Sequence, residues 1–378
     1  MLSVQISLLL LLSITGCWNY TEVDDMAIVA GVAIDKNKED GKLQLTAEIV
    51  DTTGGKDRNQ SGFRMLSLSG DTMFEIVRNM ISLTGKKLFW SHSKSIIVSK
   101  EIARDGLIKA LDWYSRDTET RSDVFIFVSG EKTAHEVLDL NKATQTVLSF
   151  ELAQMMRDEK HVGSAPVVEI WDFIDKLETV GKSAIAPIIS IHDENGKKTE
   201  RVDGTAIFKK DRMVGSLNGD ETKSALFVKN KIQGGVLEVG NKDGIPSYSL
   251  EILGSRTKLK PRIVEGKVLM QIHTDTQVGL DEVMTHEGFQ KDETTQDIEA
   301  RASEQLQTNI LAVIHKVQQE YGADIFGFGE VIHAYHPKLW AEIKGQWPEE
   351  FVQVDVTVRS KVTIESSAKT KRAIKRGD

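Results

Sequence analysis

The feature that most restricts the fold of this chain is an alternation near its C-terminus. In FVQVDVTVRSKVTI, residues 351–364, branched apolar side chains recur with a period of two: Val352, Val354, Val356, Val358, Val362 and Ile364. A period of two places alternate side chains on opposite faces of a strand. The pattern therefore predicts a long, half-buried β-strand that needs another layer to cover its apolar face.

Residues 294–321 supply that layer as a long amphipathic helix. Thr294 and Asp297 have the spacing of a capping box, and Gly322 is typical of a helix C-cap. The apolar stripe consists of Ile298, Ala302, Leu306, Ile310, Val313 and Val317. Alternating strands are also predicted at 247–253 and 268–273. We therefore expect residues 246–367 to form a C-terminal α+β domain with a largely antiparallel sheet and a long packed helix.

Earlier in the chain, strand and helix patterns are mixed. Residues 27–34 are apolar on both faces, as in a central strand, and residues 42–50 alternate. Residues 71–83 have a helical pattern with Phe74, Val77 and Ile81 on one face. These patterns predict an N-terminal α+β domain at 27–197.

A small middle domain is predicted at 198–245. It contains a hairpin at 203–217 and a helix that begins near Asn218, whose side chain can cap it. The fold class expected for the whole chain is thus α+β, with three mixed domains. The final basic residues, 368–378, lack the strand pattern and are expected to form a disordered tail.

The start of the chain has the residue pattern of a bacterial lipoprotein signal. Leu8 to Leu12 run into Ser13-Ile14-Thr15-Gly16 and then Cys17, the single cysteine of the 378 residues. The apolar run is too short to span a bilayer, which takes about 20 residues, and it fits an export signal. We expect a signal peptide at 1–16, an acylated Cys17 that carries diacylglycerol and palmitate, and a linker at 17–26.

Two other interpretations of Cys17 remain open. It could be a buried thiol in an N-terminal helix, or the segment could be a secretory signal that is cleaved elsewhere. The opening MLSVQIS also lacks the Lys or Arg that usually begins an export signal. Durable anchoring needs more than one acyl chain. Lipoprotein processing supplies more than one chain and would satisfy that requirement.

Composition and motifs predict no enzyme. The net charge of −8 argues against nucleic acid as a partner. Gly54-Gly55-Lys56 lacks the remaining residues of a phosphate-binding loop, and Gly327-Phe328-Gly329 lacks the third glycine of a dinucleotide turn. His333 and His336 have no third ligand nearby. We therefore predict no catalytic, cofactor-binding or metal-binding residues.

A basic segment allows two interpretations. Arg256, Lys258, Lys260 and Arg262 fall at a period of two, so that an extended segment would show them on one side. They could contact anionic lipid headgroups or an acidic partner. Alternatively, they could keep a solvated sheet edge from pairing with other edges.

Four ordered blocks resemble one known family. GCWNYTEVDDMAIVAGVAID is similar to the mature N-terminus of the Ger(x)C family, the C-subunits of spore germinant receptors. SHSKSIIVSKEIARDGLIKALDWYSRDTETR resembles its central signature, which carries His92, Lys94, Asp112, Arg116, Asp117 and Arg121. GTAIFKKDRMVGSLNGDET resembles its middle hairpin, and ADIFGFG with Trp340, Trp347 and Phe351 its C-terminal pattern. Ser366-Ser367 replace the glycine turn that is common in the family.

The resemblance implies a non-enzymatic, lipid-anchored receptor subunit on the outer face of the spore inner membrane. Its implied partners are two polytopic membrane subunits, an A-type subunit and a transporter-like B-type subunit, together with membrane lipid through acylated Cys17. Such receptors trigger germination in response to small nutrients. The alternative is a substrate-binding lipoprotein of a transporter, for which two lobes with parallel sheets would be expected.

Overall fold

Two β-sheets, one formed early and one late in the chain, organise the protein. The computed structural model describes residues 26–50, 62–142, 146–240, 245–284 and 294–367. Nine strands form the first sheet and four form the second. The α+β class predicted from the sequence is confirmed.

The first sheet combines a parallel centre with antiparallel flanks. Its strands are β1 Met26–Lys36, β2 Leu43–Val50, β3 Phe63–Gly70, β4 Lys87–Phe89, β5 Ser95–Val98, β6 Phe125–Ser129, β7 Ile185–Glu194, β8 Lys197–Lys209 and β9 Arg212–Leu217. The order is β3-β2-β1-β5-β6-β7-β8-β9, and β4 also pairs with β1. Strands β1, β5, β6 and β7 run parallel, whereas β2, β3, β8 and β9 extend the sheet antiparallel.

Helices cover both faces of this sheet. They are α1 Met73–Thr84, α2 Lys100–Asp105, α3 Ile108–Arg116, α4 Ala134–Leu138, α5 Leu148–Asp158 and α6 Ile170–Glu178. In β1, Val32 and Ile34 pack into the core on the side of α1 and α3, while Ala33 packs into the core on the side of α4 and α5. A strand covered on both faces must be apolar throughout, which explains the sequence of β1.

The predicted inner face of α1 was partly wrong. Its buried residues are Met73, Ile76, Val77 and Met80, whereas Phe74 is 51% exposed. Positions i, i+3, i+4 and i+7 share one side of a helix, and Phe74 lies one residue, or about 100°, away from Met73. The apolar residue at position 74 therefore points away from the core.

The second sheet and its helices follow residue 217. The elements are α7 Gly219–Val228, β10 Val236–Gly240, β11 Pro246–Val264, β12 Lys267–Val283, α8 Thr295–Lys316, α9 Phe328–Tyr335, α10 Pro337–Ile343, α11 Trp347–Gln353 and β13 Asp355–Ser367. The order is β10-β11-β12-β13. The β10–β11 and β11–β12 pairs are antiparallel, and β13 joins β12 in parallel. The parallel pair is possible because α8 lies in the connection between these two strands.

Helix α8 forms as predicted. Thr294 and Asp297 make a capping box, and all six residues of the predicted stripe are buried. The helix continues as a π-helical turn over Val317–Tyr321, and Gly322 ends it with a φ of 53°. The long helix on a largely antiparallel sheet is therefore confirmed.

The start of the last strand was predicted four residues too early. Phe351, Val352 and Gln353 belong to α11, and β13 begins at Asp355. Pro348 and two glutamates in the first turn favour a helix start. Within that helix Phe351 is buried and Val352 is 44% exposed, so the alternation at 352 is a helical feature.

The apolar core is continuous from Ala27 to Val362, and the first sheet runs through residue 217 because β8 pairs with β7. The domain boundaries after residues 197 and 245 stay a prediction. The signal peptide, nearly all of the linker and the basic tail lie outside the described residues. Within the described ranges, no helix is long and apolar enough to cross a membrane.

Candidate functional site

A groove of about 640 Å³ lies between α1 and α3 on the outside of the first sheet. It is lined by the start of α1 and one side of α3, namely by Asp71, Thr72, Met73, Phe74, Ile108, Lys109, Asp112, Trp113, Arg116 and Asp117. We call this surface the α1–α3 groove.

Local sequence signals position both walls of the groove. Thr72 caps α1, and its hydroxyl accepts a hydrogen bond from the Glu75 N–H at 3.2 Å. Gly106, with a φ of 125°, separates α3 from α2. Because each helix buries its apolar stripe on the sheet, Phe74 and Ile108 remain 51% and 56% exposed.

Charged side chains form one rim of the groove. The Arg116 Nε donates to Asp112 Oδ2 at 2.8 Å. Asp117 Oδ2 accepts from the Trp113 indole N–H at 3.1 Å. On the opposite wall, the Arg78 guanidinium carbon lies 4.9 Å from the centre of the Phe74 ring. The exposed Phe74 ring is therefore held in place by a cation–π contact.

Aromatic packing fixes the floor of the groove. The Trp113 ring meets Trp90 and Tyr114 edge to face, with both pairs of ring centres 4.9 Å apart. All three side chains are buried, and burial raises the pKa of Tyr114. Such pairs stabilise a fixed geometry beyond the area that they bury, so the floor is preformed.

The chemistry of the groove suits binding. Its lining contains no histidine, cysteine or serine that could act as a nucleophile or base. No group of three His, Cys, Asp or Glu residues in the described part of the chain could hold a metal ion. An apolar floor with a charged rim is typical of a surface that receives an amphipathic segment.

A second cluster surrounds the buried carboxylate of Asp324. Its Oδ1 accepts from the N–H of Gly327 at 2.8 Å, and its Oδ2 accepts from the N–H of Gly329 at 2.9 Å. The Trp347 indole N–H also donates to Oδ2, at 3.1 Å. Burial raises the pKa of Asp324 to about 6 although these bonds favour its charged form. The carboxylate thereby holds the turn that begins α9.

This cluster joins the two sheets. The Ser183 N–H donates to the Asp324 carbonyl oxygen at 2.7 Å, and Lys182 bridges to Glu330 at 2.9 Å. Lys229, whose pKa burial lowers to about 8, donates to the carbonyl oxygen of Ile325. We call these contacts the Asp324 junction.

Three more buried carboxylates satisfy backbone N–H groups of helix starts and a loop beside the first sheet. Asp35 accepts from Ala134 and His135 at the start of α4. Glu48 accepts from the N–H groups at the start of α5 at 2.8 and 3.0 Å. Glu159 accepts from two consecutive N–H groups in the following loop. Burial raises the pKa of all three. These carboxylates are structural caps, not an acid–base pair.

Comparison with known proteins decides the family. Residues 19–191 match the family described as "Spore germination protein N-terminal domain". Residues 203–368 match "Spore germination B3/ GerAC like, C-terminal". The chain belongs to the Ger(x)C family. The resemblance drawn from the four sequence blocks is confirmed.

Ger(x)C relatives align over nearly the whole chain. Spore germination protein B3 of Bacillus subtilis (strain 168) is 27% identical over 355 residues, covering 92% of each chain. Spore germination protein KC of the same organism is 24% identical over 408 residues, covering 98% of this chain and 97% of KC. These relatives are named for spore germination, not for a catalysed reaction.

A solved structure shares the fold. The crystal structure of the GerBC protein matches with a TM-score of 0.55 and 21% sequence identity. The match covers 91% of this chain and 100% of the GerBC chain. At this identity the comparison shows a common fold.

The α1–α3 groove collects part of the Ger(x)C central signature. Asp112, Arg116 and Asp117 line it. Of the other signature residues, His92 packs on Phe89 with ring centres 5.2 Å apart, and Arg121 pairs with its neighbour Asp123. Neither His92, Lys94 nor Arg121 lines the groove. The signature therefore includes residues that hold local structure as well as residues on a concave surface.

The remaining sequence candidates lie elsewhere. Arg256, Lys258, Lys260 and Arg262 share one exposed face of β11, as their spacing predicted. His333 packs on Trp340, with ring centres 6.0 Å apart. Cys17 and Gly54-Gly55-Lys56 lie outside the described residues, so the lipid attachment at Cys17 stays a prediction.

Sequence reasoning missed the buried charges. Asp324 was noticed only as part of the ADIFGFG block, and Lys229 and Glu48 were not singled out. One signal was available, because a lone carboxylate inside an apolar strand, as at Glu48 in LTAEIV, needs internal donors. The identity of those donors, 100 residues away, is not in the local sequence.

Proposed function

We propose that this Ger(x)C protein is a lipid-anchored subunit of a nutrient germinant receptor in the bacterial spore inner membrane. The observation that carries the proposal is the match of both halves, residues 19–191 and 203–368, to spore germination families. Relatives named for spore germination align end to end with this chain. The subunit is required for the germination response and acts through protein–protein contacts, without catalysis.

The anchor in this proposal is acylated Cys17 on the outer face of the membrane. The sequence before it has the apolar run and small residues of a lipoprotein signal. A body held by acyl chains needs no membrane-spanning helix of its own. Its partners are the polytopic A-type and transporter-like B-type subunits of the same receptor.

The α1–α3 groove is the proposed contact surface for one of these subunits. Two large apolar side chains, Phe74 and Ile108, are more than half exposed beside the preformed aromatic floor. Exposed aromatic and aliphatic anchors beside charged rims are the usual composition of binding hot spots. An amphipathic loop or helix end of a membrane subunit would complement these apolar side chains and the charged rim.

A co-purification experiment tests this assignment. We expect the double variant Phe74→Ser, Ile108→Ser to fold normally, because both side chains are more than half exposed. Its capture with tagged membrane subunits from spore membranes should fall at least about fivefold, the loss of one hot-spot contact. Undiminished capture would remove the groove from the receptor interface.

A matched control is Val214→Ser on β9, where an apolar side chain is 40% exposed outside the groove. Its capture should equal that of the wild type. Deletion of the gene tests the receptor role itself: the response to specific nutrients should be lost while sporulation remains normal. Normal nutrient germination in the deletion strain would overturn the proposed function.

A further inference from the structure

The outer face of the second sheet carries a concentration of positive charge. On β11 the row Arg256, Lys258, Lys260 and Arg262 is exposed. Pairing places His273 and Asp275 of β12 beside Lys258 and Arg256, and places Arg359 and Lys361 of β13 on their other side. We call this surface the basic face.

The basic face carries more positive than negative charge. It comprises Arg256, Lys258, Lys260, Arg262, Lys267, Arg359 and Lys361, and the carboxylates on the same face are Asp275, Asp355 and Glu365. Within the described ranges none of these basic side chains lies within 4.0 Å of a carboxylate oxygen. The chain as a whole is acidic, with a net charge of −8. The positive charge is therefore a local property of this face.

The shape of the face favours small anionic groups over an inserted side chain. A shallow depression of about 690 Å³ is lined by Arg256, Lys258, Arg359 and Lys361, together with His273 and Asp275. No Phe, Tyr or Trp side chain lines it. A surface with several cations and no apolar pocket suits phosphate-bearing headgroups that lie in a plane.

The β11–β12 hairpin adds an apolar tip to the same face. Its two-residue turn, Glu265-Gly266, has φ values of 50° and 80°, which are typical of a tight hairpin turn. Pairing of β12 with β13 begins only at Leu269. Ile263 and Val264 therefore extend beyond the end of β13, and they are 45% and 47% exposed. Val264 continues the row of Arg262 because it lies two residues further along β11.

We propose that the basic face and the hairpin tip rest on an anionic lipid bilayer, with Val264 at the headgroup boundary and the basic rows over the headgroups. This combination of exposed apolar tip and cationic stem matches the composition of interfacial membrane-binding segments. The contact would orient the body on the membrane at which the proposed function places it. Attraction is confined to this face because charges are screened beyond about 10 Å.

A fluorescent probe at the tip tests the contact in the full chain. Because Cys17 is the single cysteine, the variant Cys17→Ala, Val264→Cys can be labelled at the tip alone with the environment-sensitive dye NBD. With phosphatidylglycerol-containing vesicles, we expect NBD emission to rise at least about twofold and shift to the blue, as the dye leaves water. Pure phosphatidylcholine vesicles should give a much smaller change.

The matched control probe is Val214→Cys in the same Cys17→Ala background, at an exposed position on β9. The NBD emission of this control should not change with either type of vesicle. An equal response at both positions, or no response at the tip, would overturn the proposal. A tip response that requires co-reconstituted membrane subunits would assign the face to a protein and also overturn the lipid contact.

Charge removal gives an independent measurement. Replacing Arg256, Lys258, Lys260 and Arg262 with Gln should weaken the vesicle response at least about tenfold in apparent affinity. Replacing four exposed cations elsewhere with Gln, at Lys197, Lys198, Lys209 and Lys210, changes net charge equally and should have little effect. Equal losses in both variants would contradict the proposal. Since vesicles contain no receptor subunit, failure here is distinct from failure of the co-purification test.

Discussion

At the scale of single residues, buried carboxylates that accept backbone N–H groups are prominent in this protein. Glu48 on β2 caps α5 across 100 residues of sequence, in place of a local capping side chain. Asp324 accepts N–H groups from the adjacent turn that begins α9. Each buried carboxylate carries a desolvation cost that its hydrogen bonds offset. Changing Glu48 should therefore affect an element remote in sequence.

The variant Glu48→Gln should be destabilised by about 1–3 kcal/mol. Each carboxylate oxygen accepts one N–H, from Leu148 and Ser149. Glutamine keeps one acceptor and turns an NH₂ group toward the other donor, which leaves that donor unsatisfied. Denaturant unfolding measures the change. Glu101→Gln, on the surface of α2, is the control and should change stability by less than about 0.5 kcal/mol; a similar effect of both variants would contradict the capping role.

The raised pKa of Asp324 predicts a pH-dependent contribution to stability. Between 3.8 and about 6 the folded state binds more protons at this carboxyl than the unfolded state. Its contribution is therefore fully present below pH 3.8 and is lost as pH rises through 6. Lys229 does not titrate in this window, because its pKa is about 8.

The variant Asp324→Asn removes this titration. Between pH 4 and pH 7, the unfolding free energy of the wild type should fall relative to that of the variant by about 2 kcal/mol, which is the part of a shift of roughly two pKa units that is lost within this pH range. Chemical denaturation at one-unit intervals of pH checks the difference. A constant difference for Asp324→Asn would show that this carboxyl does not titrate in the window.

At the scale of elements, the two sheets are joined by closely packed backbone. Trp340 of α10 covers Gly181, whose φ is 97°, and an added Cβ there would lie 2.6 Å from the Trp340 ring. The backbone of Gly329 also approaches Gly181. Glycine is thus required for space as well as for conformation. The Asp324 junction depends on this close approach.

Gly181→Ala should destabilise the protein more than Gly196→Ala does. Gly196 in the β7–β8 turn also has a positive φ, 84°, but an added Cβ there meets nothing within 4 Å. Both variants carry the cost of placing alanine at a positive φ. The difference between their unfolding free energies therefore isolates the clash with Trp340 and should be about 1–3 kcal/mol. Denaturant unfolding followed by tryptophan emission measures it. Equal destabilisation would mean that the Trp340 ring moves aside at no cost.

At the scale of the whole molecule, lipid anchorage and folding should be separable. Cys17 precedes β1, which begins at Met26, and both sheets are built from later residues. Cys17→Ala should therefore leave the unfolding midpoint of the body within about 1 °C, because residue 17 lies before the first strand. The protein should shift from the membrane to the soluble fraction when acylation is lost.

Fractionation of cells with and without an inhibitor of lipoprotein processing supplies the matched control, because the inhibitor should reproduce the effect of Cys17→Ala. Continued tight retention of the variant would show that partner or lipid contacts dominate localisation. The basic face provides one such contact in our proposal, so the variant should also be fractionated at high salt, which screens it.

Sequence alone determined the elements whose signals are local. Three elements could be predicted from the sequence, because each follows from the geometry of one segment. They are β13 from its period of two, α8 from its apolar stripe and caps, and β1 from its apolar residues. The Ger(x)C family was identified differently, from the resemblance of four ordered sequence blocks. The predictions were wrong where packing against neighbouring elements decides which side chain is buried or which element forms. Phe74 lies away from the core, and Val352 lies in a helix.

Only the tertiary structure decided which distant residues meet. It showed that Asp112, Arg116 and Asp117 share a groove with Phe74 and that Glu48 caps α5. It also showed that β13 brings Arg359 and Lys361 to the same face as the basic row of β11, on the other side of β12. Long-range pairing depends on strand order and on which surfaces are left to be buried, and a local pattern specifies neither. The local sequence set each strand and helix, and burial of their combined apolar surface set the partners.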